Sequence, residues 1–154
     1  MPSEFMRARV SQELEQALRE MMTSRAFLKG AALFQQGTPA AGIYLVEKGS
    51  VRVLLATAAD QTQLLDLVGP GSLLALSDNV AGGRYRVTVE AAEPTIAAFV
   101  ERQAFMNFLG CHHEFCMQVV RLLSDNLHAL YHKFRSVSAH PGRPRRRSLN
   151  EQVS

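Results

Sequence analysis

The densest run of side chains capable of chemistry is Cys111-His112-His113-Glu114, followed by Cys116. Thiolates, imidazoles and a carboxylate are the ligands that zinc or haem iron takes. The spacing argues against a shared site. On a helix His112 and His113 point about 100° apart, and Cys116 falls on an apolar stripe. A small buried cysteine beside exposed histidines accounts for the run, and no metal ligand is assigned. His128 and His132 share a helix face, where they could bind metal or titrate near about pH 6–7 against a partner. They flank the stripe without joining it and read as surface residues. Cys111 and Cys116 are the only cysteines. They are too few for a disulfide framework or a four-thiolate cluster, and a reducing cytosol would keep them as thiols.

A second group is Ser77-Asp78-Asn79 with Arg84-Tyr85-Arg86. An inward arginine could clamp an anion in bidentate fashion. Strand alternation sets Arg86 opposite Tyr85, so at most one neighbour of the tyrosine points in. Both arginines are read as facing solvent, and Ser77, Asp78 and Asn79 as caps of a short helix. A third group, Arg143, Arg145, Arg146 and Arg147, stands against Glu151 alone and carries the net charge of +3. On a loose tail these arginines would touch nucleic acid only weakly and without specificity. No Gly-rich phosphate loop, nucleophile elbow or paired catalytic carboxylates occur. All five histidines lie between 112 and 140, none on the strands where a β-roll metalloenzyme would carry them. The chain is not read as an enzyme, and no cofactor is assigned.

The elements that must position these groups follow from periodicity. Residues 4–22 form an amphipathic helix, with Val10, Leu14, Leu18 and Met21 on one face. From Ala26 to Val100, short apolar runs alternate with turn signals such as Lys48-Gly49-Ser50, Gly69-Pro70-Gly71 and Gly82-Gly83. The expected strands begin at Gly42, Ser50, Gln63, Tyr85 and Thr95, a pattern of a β-sandwich or roll. Glu101 to Leu109 makes a short helix, with Gly110 as a left-handed cap. A long helix runs from about His112 to Val137. Its seam of Cys116, Val120, Leu123, Leu127, Leu130, Phe134 and Val137 alternates spacings of four and three, as in helices that pair along their length. Phe115, Val119 and Leu122 form a second row for the domain's own core. Residues 1–24 are thus an N-terminal helical segment, 25–110 the roll and its short helix, 111–138 a dimerisation helix, and 139–154 a basic disordered tail. No apolar run approaches the roughly 20 residues of a membrane span. With no secretion signal at Met1-Pro2-Ser3-Glu4 either, a cytoplasmic protein is expected.

This order of elements resembles the cyclic-nucleotide-binding domain of the Crp/Fnr family of bacterial transcription regulators, over roughly residues 10–138. The resemblance is carried by Leu33-Phe-Gln-Gln-Gly-Thr-Pro-Ala, Gly42-Ile-Tyr-Leu-Val-Glu-Lys-Gly-Ser-Val-Arg-Val, Gly69-Pro-Gly-Ser and Val119-Val-Arg-Leu-Leu-Ser-Asp-Asn. It implies a mainly β, double-stranded β-helix (jelly-roll) sensor domain with flanking helices, a homodimer through the long helix, and an effector near Leu73, Leu74, Ala75, Leu76, Ser77, Arg84, Tyr85 and Arg86. Members that bind cyclic nucleotides hold the ribose with a Gly-Glu pair and the phosphate with an arginine. Here Ala75-Leu76 and Tyr85 stand in those places. Leu76 accepts no hydrogen bond, and a buried ribose hydroxyl left unpaired costs about 1–3 kcal/mol. Ordinary cyclic AMP recognition is therefore not expected. Family members continue into a helix-turn-helix DNA reader, which the 17 residues after Val137 cannot build. A non-sensing interaction scaffold is the first alternative, and a metal- or haem-binding sensor the second.

Overall fold

A computed structural model of the chain describes residues 11–138; within the last helix, the side chains at 126, 127 and 129–138 lie outside the described residues. Ser11 starts α1 (Gln12–Met21), its hydroxyl accepting the Leu14 N–H at 3.1 Å. The same hydroxyl donates to Gln118 Oε1 at 2.7 Å, tying the first helix to the last. Ser11→Ala is expected to lower stability by about 1 kcal/mol, the usual worth of such a cap, in urea denaturation. Among the described residues eight strands follow: β1 (Thr23–Phe27), β2 (Ala32–Phe34), β3 (Gly42–Lys48), β4 (Val51–Ala56), β5 (Thr62–Val68), β6 (Leu73–Leu74), β7 (Thr88–Ala91) and β8 (Thr95–Glu101). A short helix, α2 (Leu76–Ala81), separates β6 from β7, and α3 (Arg102–Cys111) and α4 (His113–Ser138) close the order.

The strands form two antiparallel sheets, ordered β1-β8-β3-β6 and β2-β7-β4-β5. The run Ile43-Tyr-Leu-Val explains the layering. Tyr44 and Val46 face the second sheet, packing with Val51, Val53, Val68 and Val89. Ile43 and Leu45 face the other way, onto a layer of Leu14, Leu18, Phe105, Leu109 and Val119 from the helices. A strand covered on both faces has no polar side to show, hence the unbroken apolar run. Gly49 turns β3 into β4 with φ +89°, and a Cβ there would lie 2.6 Å from the Pro94 carbonyl oxygen, so only glycine fits. Among the described residues, no helix is long and apolar enough to cross a membrane.

The mainly β roll with helices at both ends is as expected, but several local expectations are corrected. The strand expected from Tyr85 starts at Thr88 instead. Residues 84–86 are tied to the 37–39 loop by one isolated bridge, and the Arg86 N–H goes to the Asp78 carboxylate, so no ladder forms. Burial still alternates, with Tyr85, Val87 and Val89 inside. The strands β1, β2 and β6 were not foreseen. Gly110 is a helical residue of α3, which ends on the N–H of His112 bonding the Leu109 carbonyl, so it is not the left-handed cap. Of the expected helix over 4–22, the described part is α1, and the remainder lies outside the described residues.

Candidate functional site in the roll

The expected effector segment is assembled by a reversal of the chain. β6 runs beside β3, with Leu74 opposite Tyr44, and passes into α2 through Ala75, a left-handed residue at φ 68°. Gly82, also left-handed, ends α2 by giving its N–H to Asn79 and Asp78 carbonyls. The eight candidate residues separate into three groups. Leu74, Ala75 and Tyr85 enter the core between the sheets. Leu73 and Leu76 turn to the opposite side, into the helical layer with Phe105 and Val119. Leu76, at the expected carboxylate position, therefore faces away from the roll interior. Ser77 is half-buried at the surface, and Arg84 and Arg86 are exposed, as expected. Arg84 donates to the Gly37 carbonyl at 2.7 Å, and Arg86 pairs with Asp78 at 2.8 Å and reaches the Ser77 hydroxyl at 3.3 Å.

Ser77, Asp78 and Asn79 do not cap α2, which carries no side-chain cap hydrogen bond and has Ala75 in the capping position. The carboxylate of Asp78 is spent on Arg86. Asn79 is fully buried, and its Nδ2 donates to the Gly42 and Ala75 carbonyls, both at 2.8 Å.

Around Tyr85 the interior carries a cluster of aromatic rings. Tyr85 stacks on Phe34 at 4.1 Å between ring centres, and Phe34 stacks on Tyr44 at 5.9 Å. Phe27 and Phe99 meet Tyr44 at 6.1 and 4.9 Å. The Arg25 guanidinium lies 3.9 Å above Phe99 and donates to the Tyr44 hydroxyl at 3.3 Å. That hydroxyl donates to the Leu33 carbonyl. Burial pushes the Tyr44 phenol above its ordinary pKa, against the opposing pull of Arg25. Sequence reasoning missed Phe34, Tyr44, Gly42 and Asn79. Their signal was present in part: Tyr44 alternates with the buried Ile43 and Leu45, and Phe34 opens the segment Phe-Gln-Gln-Gly.

The other candidate groups do not converge. Cys111 is exposed and Cys116 half-buried. His112 stacks on Phe108 at 4.3 Å with Nδ1 at 2.9 Å from the Phe108 carbonyl oxygen. No three His, Cys, Asp or Glu side chains gather as metal ligands among the described residues. His128 is exposed, while the side chain of His132 lies outside the described residues. On α4, Val119 is buried and Phe115 and Leu122 are half-buried in the helical layer. Of the seam, Val120 is 49% exposed, while Cys116 and Leu123 also pack partly on that layer. The side chains of Leu127, Leu130, Phe134 and Val137, and the whole of Arg143, Arg145, Arg146 and Arg147, lie outside the described residues.

Solved structures share this architecture. The chain superposes on a transcriptional regulator from Thermotoga maritima with a TM-score of 0.72 at 16% identity, covering 82% of this chain and 98% of that one. With a candidate cyclic nucleotide binding protein from Ruegeria pomeroyi the TM-score is 0.66 at 20% identity, over 87% of this chain and 59% of that one. With the catabolite activator protein of Thermus thermophilus it is 0.63 at 23% identity, over 84% and 57%. The chain thus spans less than two thirds of the length of the last two, and identities this low speak for the fold alone. No curated protein matches in sequence. A family profile does: that of the cyclic nucleotide-binding domain, over residues 24–111, more than half of the chain. With the roll, its short α2 and its trailing helices in place, the chain belongs to the cyclic nucleotide-binding domain family.

Proposed function

We propose that this chain is the sensor and dimerisation module of a Crp/Fnr-like transcription regulator, and that it does not recognise cyclic AMP in the family's usual way. One observation carries the reading. At the two positions where a ribose carboxylate and a phosphate arginine are expected, Leu76 packs into the helical layer and Tyr85 stacks on Phe34 inside the roll. Neither answers the charge or the hydroxyls of a nucleotide. The module acts by binding rather than catalysis: a ligand among Leu74, Ala75 and Tyr85 shifts how α3 and α4 rest on the roll, and so how α4 meets its twin. DNA contact belongs to a part other than the roll. Calorimetry and thermal shift with cyclic AMP test this. A ligand at 100 times its dissociation constant adds about 2.7 kcal/mol of stability. No saturable rise in melting temperature is expected, and such a rise would overturn the reading.

A second reading, a scaffold that senses nothing, is favoured by the same stack, because Tyr85 and Phe34 are already packed on one another within the core between the sheets. A small-molecule screen in which nothing shifts the melting temperature, with the dimer intact, selects it.

A further inference from the structure

The Tyr85 hydroxyl lies on a closed circuit of hydrogen bonds. It accepts the N–H groups of Ala41 and Gly42 at 2.9 and 3.1 Å and donates to the Gly42 carbonyl at 3.0 Å. A phenol hydroxyl has one proton and two lone pairs, so all of its capacity is used. The Gly42 carbonyl also accepts Asn79 Nδ2, and the Asn79 carbonyl accepts Arg102 Nε at 2.7 Å. The Arg102 N–H returns to the Ala41 carbonyl at 2.9 Å, closing the ring. The orientation of Asn79 is fixed: its nitrogen faces two carbonyls, and the buried Oδ1 is left without a partner. Arg102 is the first residue of α3, whose Phe105 and Leu109 share the helical layer with Val119 of α4.

We propose that Tyr85 is a built-in occupant of the roll, filling with its own phenol the place of an effector and holding α3 in position through the Gly42–Asn79–Arg102 circuit. The inference deepens the sensor reading and rests on it. A molecule that takes this place in the parent must be a flat, uncharged aromatic carrying a hydroxyl, and must make contacts beyond those of phenol itself, since it has to displace the Tyr85 ring that already fills those bonds. Displacing Tyr85 shifts Ala41 and Gly42, to whose carbonyls Arg102 and Asn79 are bonded, and so moves α3 against α4, the route from roll to dimer helix.

The full chain carrying Tyr85→Gly tests the fit, with phenol as the probe and toluene as a ring of similar size lacking the hydroxyl. The variant is expected to melt lower than the parent. Phenol is expected to raise its melting temperature in a saturable way, toluene less so, and neither to raise that of the parent. An equal response of variant and parent to phenol overturns the proposal. Tyr85→Phe, which keeps the ring, tests the coupling even if the glycine variant fails to fold. Amide exchange at Arg102, whose own bond to Ala41 does not involve the tyrosine, is expected to quicken about fivefold, the equivalent of one hydrogen bond. Exchange at Leu18 in α1 serves as the unchanged reference. Unaltered protection at Arg102 overturns the proposal, whereas binding of cyclic AMP by the parent refutes instead the reading that this sensor does not recognise cyclic AMP.

Discussion

Replacing Gly42 with alanine is expected to cost about 3 kcal/mol or more, the upper end for forcing a methyl into a packed core. A Cβ at this position would come within 2.3 Å of both the Phe99 ring and the Val100 carbonyl oxygen. The ring could turn away, but the carbonyl belongs to β8, whose Val100 is registered opposite Ile43 of β3. Relief therefore requires the two central strands of the sheet to part. Gly42 also gives its N–H and its carbonyl to Tyr85, and the carbonyl again to Asn79, so a shift would disturb the α2 junction as well. Gly110→Ala is the matching control with the opposite sign. Gly110 is exposed in α3, with no atom near its would-be Cβ, so alanine should stabilise by up to about 1 kcal/mol. Were it the left-handed cap that its place near the helix end suggests, alanine would destabilise. Urea midpoints of the two variants, measured beside the parent, decide both questions. Equal midpoints for Gly42→Ala and the parent would mean that β3 and β8 do not approach as closely as they do here.

The contrast between these glycines shows where the sequence is readable. A strand buried on both faces, such as β3, is written in its composition, because every position answers to one solvent: the protein interior. The inward positions around Tyr85 were equally legible, since burial alternates whether or not a ladder forms. Edge and connecting strands were not. β1 reads Thr-Ser-Arg-Ala-Phe and is exposed along four of its five residues, so no apolar pattern marks it. β6 is two residues long and borrows its identity from its pairing with β3. Asn79 has the residue type of a cap, and nothing local says that it is turned inward. The Gly42 carbonyl that it seeks lies 37 residues away. The candidate site follows the same rule. The replacement of the expected carboxylate and arginine by Leu76 and Tyr85 was visible in the sequence. That Leu76 would face the helices and Tyr85 would saturate its hydroxyl depends on how distant segments meet.

Leu127→Glu is expected to convert a dimer to a monomer. The first half of α4 sets up the division of labour: Val119 is buried, with Phe115 and Leu122 beside it on the domain's own helical layer. Met117 and Val120, at 36% and 49% exposure, leave an apolar edge uncovered. The placement of Leu127 comes from spacing alone: Val120, Leu123 and Leu127 continue the alternation of three and four that carries on to Leu130, Phe134 and Val137. In a paired helix each chain would bury its glutamate against the other's. Burying an unpaired charge costs several kcal/mol, and each 1.4 kcal/mol weakens the dimer about tenfold. Weakening of about a thousandfold should be plain in analytical ultracentrifugation at micromolar protein. His128→Glu, one residue on at an exposed position, adds the same charge off the seam and should leave the dimer intact. Should Leu127→Glu sediment with the mass of the parent, α4 does not pair along this row. Cys116 and Leu123, already half-covered by their own domain, would then mark an inward stripe instead.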